Sequence, residues 1–181
     1  MKKLLVGAIV VVAISAVFFA VGAAREKRRL LDVERRLDVI RSLAQQAEIV
    51  AGKPLHKITN QTCSECPCRA PETFKNTKDA SICVYNWNNA ILSIWRAIGR
   101  PDIAPDWLLR DPWGAPFLLN ENVTGELCYT VILGSAGPDK AYPSDDDVHI
   151  TFKTMGCRES DADKSQPFVE SVKEPWLRQS P

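Results

Sequence analysis

The stretch LLVGAIVVVAISAVFFAVGAA, residues 4–24, contains no charged side chain, and Ser15 is its sole hydroxyl. A helix of that length rises roughly 30 Å, the thickness of a bilayer's hydrocarbon core. The chain runs on without Gly or Pro into REKRRLLDVERRLDVIRSLAQQAEIV, residues 25–50. There Leu30, Val33, Leu37, Ile40, Ala44 and Ala47 recur at alternating steps of three and four, which sets them in one stripe along a helix. Asp32 stands one helical turn before Arg36, the spacing of a surface ion pair. Gly52 and Pro54 then end the helix. The pattern predicts one continuous helix of about 46 residues and about 70 Å, apolar all round in its first half and amphipathic in its second. The amphipathic stripe suits a short coiled coil between subunits, or packing on the chain's own domain.

The flanks of the apolar run set its topology. Lys2 and Lys3 precede it, and Arg25, Lys27, Arg28 and Arg29 follow. An uncleaved signal anchor is expected in preference to a cleaved signal peptide ending near Val21-Gly22-Ala23, because the run is long for a signal peptide. The heavier basic cluster after the run predicts a cytoplasmic C-terminal side. The cysteines point the other way, since bridges form and persist in oxidising compartments. We follow the cysteines and expect an extracytoplasmic head.

The chain has 181 residues, 45% of them apolar and 25% charged, with a formal net charge of +1. That is an ordinary globular mix for one modest domain plus an appendage. A net charge so near neutral argues against a nucleic-acid partner, since such proteins usually concentrate basic charge. The division expected is a cytoplasmic start at 1–3, a membrane span at 4–24 and an amphipathic continuation at 25–52. A globular head at 53–157 and a polar tail at 158–181 follow.

Six cysteines need an explanation in so small a chain. Cys63, Cys66 and Cys68 form a tight C-x-x-C-x-C group, and Cys83, Cys128 and Cys157 follow. An even count on a membrane-targeted chain predicts disulfides, each adding about 2–4 kcal/mol by restricting the unfolded chain. The alternative is a four-thiolate zinc site on the C-x-x-C-x-C group with Cys83, although no second C-x-x-C completes it. A redox-active pair is not expected, because no strand–motif–helix context surrounds the group.

Residues 81–98 read as a second helix, with Trp87, Ile91, Ile94, Trp95 and Ile98 on one face and Gly99 and Pro101 at its end. After a connector at 101–105, Asp111-Pro112 and Gly114 reverse the chain. Residues 117–119 and 127–133 are expected as antiparallel strands around a polar turn at 120–126, with a third strand at 148–154.

Within this C-terminal half lie Asp111-Pro112-Trp113-Gly114-Ala115-Pro116-Phe117, then Tyr129, then Leu133-Gly134-Ser135-Ala136-Gly137-Pro138-Asp139. Asp146 and Asp147 follow, shortly before Ile150. In order and spacing this set resembles the major pseudopilin family of bacterial type II secretion, protein G of that system. The resemblance implies an α+β, pilin-like fold: a long N-terminal helix packed on a small antiparallel sheet with a calcium-type loop. It further implies a single-pass protein of the bacterial inner membrane with its head in the periplasm. Calcium would be held by the carboxylates of Asp139, Asp146 and Asp147, with Asp145 able to replace a neighbour. Main-chain oxygens near Leu133 and Ser135 would complete a shell of hard oxygens. Partners would be the membrane and other pilin-like subunits, including copies of this chain.

The N-terminus differs from the family's leader. Prepilins carry a Gly before the apolar helix and Glu at its fifth position, whereas Gly7 is here followed at that position by Val12. His149 also stands where the family's loop has its last acidic residue. The alternative function is therefore a membrane-anchored accessory or binding protein that uses the same head without polymerising. An enzyme is not expected. The two histidines, His56 and His149, are far apart, no nucleophile motif or zinc-hydrolase motif occurs, and no small-molecule substrate is implied.

Overall fold

The computed structural model describes residues 2–68, 81–101, 103–123 and 129–154; for positions 2–14, 16, 122, 123 and 129 the description covers the backbone alone. Helix α1 (Lys2–Ala51) is unbroken. Gly52 ends it, with φ +62° and its N–H on the Glu48 carbonyl at 2.8 Å. Glycine takes that left-handed conformation without the Cβ clash other residues meet. A short helix α2 (Leu55–Thr59) follows, then a 3-10 turn at Cys66–Cys68. Helix α3 (Ile82–Ala97) starts at Ser81, whose hydroxyl accepts from the Val84 N–H at 3.4 Å. A single turn, α4 (Asp106–Leu109), leads into strands β1 (Leu118–Val123), β2 (Tyr129–Ser135) and β3 (Val148–Lys153). Among the described residues the strands form one antiparallel sheet in the order β1-β2-β3. The architecture is α+β: a long N-terminal helix laid on a small antiparallel sheet.

The amphipathic half of α1 finds its partner within the chain. Val33, Leu37, Ile40, Ala44 and Ala47 are each at most 1% exposed. They share a core with Leu55, with Trp87, Ile91 and Ile94 of α3, and with Leu119, Val131, Leu133 and Phe152 of the sheet. The stripe from Val33 to Ala47 thus serves this head and is not left open as a coiled-coil seam. The predicted Asp32–Arg36 pair forms at 2.6 Å, and Arg36 also donates to the carbonyls of Trp107 and Arg110. Trp87 packs on Phe117 with ring centroids 5.6 Å apart, and its indole N–H donates to the Leu108 carbonyl at 2.8 Å.

Further up α1 the apolar surface is bare: Val17, Phe18, Phe19 and Val21 are 61%, 74%, 83% and 59% exposed. Among the described residues no helix is long and apolar enough to cross a membrane. Most of the expected span, residues 4–14 and 16, lies outside the residues whose side chains are described.

Two corrections concern the sheet. Strand β1 runs on to Val123, so Asn120, Glu121 and Asn122 are ladder residues opposite Ile132, Val131 and Thr130, and the expected turn at 120–126 does not begin at 120. Their polarity resembles turn chemistry, yet Glu121 is 3% exposed and faces inward beside Leu119, where the half-buried imidazole of His56 meets it. The strand itself begins at Leu118, one position after the expected start. The short helices α2 and α4 were not expected at all, since neither carries enough residues to show a period. The tail at 158–181 lies outside the described residues.

Candidate functional site

Asp111 is the hub from which the acidic loop is built. It is 4% exposed, and its Oδ1 accepts from the N–H groups of Trp113 at 3.0 Å and Ala115 at 2.8 Å. Its Oδ2 accepts from the Ser135 hydroxyl at 2.6 Å. Burial pushes the Asp111 carboxyl above its ordinary value, although bonds from Ser135, Ala115 and Trp113 oppose the rise. Ser135 in turn accepts from the Gly137 N–H at 3.2 Å, so the reversal at 111–115 and the loop after β2 share one polar core. Gly114 takes φ +86° at that reversal, as the sequence requires.

Beyond Gly137 the loop folds three carboxylates around one hydroxyl. Ser144 Oγ donates within reach of Asp139 Oδ1 at 3.4 Å, Asp147 Oδ1 at 3.3 Å and, closest of all, Asp146 Oδ1. Backbone amides hold the same groups: Asp139 N–H to Asp146 Oδ2 at 3.1 Å, and Ser144 N–H to Asp147 Oδ2 at 2.7 Å. Burial, with the negative charges of Asp146 and Asp139 adding to it, pushes Asp147 up to about 6. Asp146 lies below its ordinary value, because bonds from Ser144 and the Asp139 amide outweigh its burial.

The structure therefore brings together Asp139, Asp146 and Asp147 of the expected calcium set. It adds Ser144, which sequence reasoning missed and which a hydroxyl two residues before an acidic pair could have suggested. Asp145 is exposed and so is His149. Leu133 sits in the middle strand with Leu119 and Ile150 on either side, and Ser135 ends that strand opposite Val148. The Ser135 side chain is committed to Asp111. The all-oxygen set of Asp139, Ser144, Asp146 and Asp147 is of the donor type a hard cation takes, and Asp147 is raised chiefly by its burial, with the charges of Asp146 and Asp139 a lesser addition.

Cysteine chemistry is settled for four of the six. Cys63 bridges to Cys66 with Cα atoms 5.6 Å apart, and Cys68 bridges to Cys83 at 6.2 Å. This replaces the zinc alternative, because all four thiols of that proposed site are committed to sulfur–sulfur bonds. Cys128 and Cys157 lie outside the described residues. Among the described residues, the acidic, thiol or imidazole trio whose donor atoms all fall within 4.8 Å is Cys63, Glu65 and Cys66.

A second polar cluster, not foreseen from sequence, lies where α1, α2 and β1 meet. His56 Nδ1 stands 3.2 Å from Glu121 Oε2, and Glu48 Oε1 accepts from the Leu55 N–H at 2.8 Å. Burial, opposed by the bond to His56 and aided by the Glu48 charge, pushes Glu121 up to about 8. Burial and the Lys57 charge lower His56. Both shifts favour the same uncharged His56–Glu121 pair. No protein-family model, curated protein or solved structure matches the chain.

Proposed function

We propose that the chain is a non-enzymatic structural subunit of the pseudopilin kind, anchored in the bacterial inner membrane with its head on the extracytoplasmic side. The observation that carries this reading is the division of α1. From Val33 to Ala47 one stripe is buried on the head, while Val17 to Val21 project bare apolar side chains beyond it. A helix built this way suits a bilayer or the helices of neighbouring subunits at one end and a folded head at the other. The two bridges suit an oxidising compartment. Calcium, where bound, would neutralise the loop; Asp139, Asp146, Asp147 and Ser144 would hold it and so fix the connection between β2 and β3.

The absence of an acidic residue between Met1 and Arg25 favours a second version, an anchored accessory protein with the same head that does not polymerise. The N-terminal mass of protein extracted from membranes separates the two. Cleavage after Gly7 fits a filament subunit, and an intact Met1 fits the accessory protein. Recovery of the full chain in the soluble fraction after gentle lysis overturns both. Melting with calcium and with chelator tests the loop: a metal that binds only the folded form adds about 2.7 kcal/mol at a hundredfold excess over its dissociation constant. An unchanged midpoint removes calcium from the reading.

A further inference from the structure

The two described bridges differ in almost every property that governs disulfide reactivity. Cys68 and Cys83 are 0% and 2% exposed, and with Leu118 and Tyr142 they form a small apolar cluster on the sheet face away from the main core. Their bond spans 15 positions and ties the 3-10 turn to α3. Cys63 is half-buried and Cys66 exposed, and their bond spans only 3 positions. A ring so short removes less freedom from the unfolded chain than the longer one, so this bridge adds less to stability than Cys68–Cys83.

The loop around Cys63 and Cys66 keeps its shape by other means. The Glu121 N–H donates to the Thr62 carbonyl at 2.7 Å, and the Ser64 N–H to the Leu119 carbonyl at 2.8 Å. The Leu119 N–H returns to Ser64 Oγ at 2.9 Å, and the Cys68 N–H reaches the Glu65 carbonyl at 2.7 Å. Residues 62–64 thereby cover the outer edge of β1, with Cys63 bridged to Asn120. Opening the sulfur–sulfur bond leaves each of these links in place.

Two details make the bond directional. The Cys66 N–H donates to Cys63 Sγ at 3.0 Å, which stabilises negative charge on that sulfur and makes Cys63 the better leaving group. Cys66 is the more open sulfur to an incoming thiolate. Access and leaving-group ability therefore select the same course of attack. A carboxylate oxygen of Glu65, itself 1% exposed, lies within 4.8 Å of both sulfurs.

We propose that Cys63–Cys66 is a thiol–disulfide exchange site for dithiols, while Cys68–Cys83 is structural. This stands independently of the pseudopilin reading. One thiolate of the dithiol attacks Cys66 Sγ, the Cys63–Cys66 bond breaks, and its electron pair leaves on Cys63. The dithiol's second thiolate then attacks its own first sulfur, closing the reagent's disulfide and releasing Cys66 as thiolate. Two electrons pass from dithiol to chain, and the two protons of the dithiol end on Cys63 and Cys66.

The test uses the full chain, undenatured, equilibrated in graded dithiothreitol, quenched with a thiol-alkylating agent and mapped by peptide mass. The expected result is paired labelling of Cys63 and Cys66 at about tenfold less reductant than Cys68 and Cys83 require. Joint reduction of the two bridges, or earlier reduction of Cys68–Cys83, overturns the proposal. Direction is read from the pH dependence of alkylation in Cys66→Ser, which leaves Cys63 as the thiol, against Cys63→Ser, which leaves Cys66. The Cys63 thiol should titrate about one pH unit lower. Equal midpoints, with both variants showing the parent's circular dichroism, refute the assigned direction. Should either variant fail to fold, the reduction order of the unaltered chain still decides the proposal.

Discussion

The indole Nε1 of Trp113 donates a 2.9 Å hydrogen bond to Glu26 Oε1, joining positions 87 residues apart. It fastens the turn that Asp111 organises to α1 just where the basic cluster begins. Arg36, some way down the same helix, donates to the carbonyls of Trp107 and Arg110. The segment between α3 and β1 is thus clasped to α1 at two polar points flanking the first buried residue of the stripe, Val33. The clasp sets how far α1 projects beyond the head.

Trp113→Phe keeps most of the buried ring and removes the donor. Glu26 is partly exposed, so its carboxylate regains water, and the expected loss is about 1 kcal/mol. Urea unfolding should show a lower midpoint with an unchanged slope. Glu26→Gln retains an acceptor and should cost less. The double variant should cost no more than Trp113→Phe alone; strict additivity of the two losses would mean the residues do not interact.

The sequence made the long helix, the second helix and the third strand legible because each repeats a period over enough residues to register. Gly52 and Gly99 marked helix ends and Gly114 a reversal, and all three adopt positive φ. The loop carboxylates were legible only through the resemblance, and Ser144 at their centre was not, since a hydroxyl in a polar turn carries no periodic signal. Glu121 misled for a physical reason. A glutamate between two asparagines reads as solvent-facing, and only tertiary contact with His56 and Glu48 makes an inward, uncharged position tolerable. Nothing local in the chain announces a partner sixty-five positions away.

Gly137 gives a direct handle on the acidic loop. Its φ is +63°, and a Cβ placed there would run into the Asp146 carbonyl, with the Asp146 carboxylate also close. Gly137→Ala should therefore destabilise the head by about 1–3 kcal/mol. The same displacement moves Asp146 away from Asp139 and Ser144, so any calcium-induced rise in melting temperature should shrink along with the baseline. A variant that melts like the parent, with the same calcium response, would show that the loop does not depend on this close approach.

Glu121 sets a pH dependence whose sign is fixed by the direction of its shift. Its ordinary value is 4.5, and in the folded chain it titrates at about 8. Between those values the unfolded chain has lost the proton and the folded chain keeps it, so folding takes up a proton and stability falls as pH rises. Asp147, raised from 3.8 to about 6, acts in the same sense over a lower range. Asp111, also raised, shares that sign. His56 acts oppositely, because its lowered value means that the unfolded chain holds the extra proton up to about its ordinary 6.5. The clearest window is therefore pH 6.5 to about 8, where stability should decline by up to about 1.4 kcal/mol per pH unit. Glu121→Gln keeps a neutral partner for His56 beside Glu48 and Lys57 while removing the titration. Its unfolding free energy should be flatter than the parent's across that window, measured by urea titration at closely spaced pH. Parallel profiles for parent and variant would mean that Glu121 is already ionised in the folded head, and that the part-buried pair is an ion pair after all.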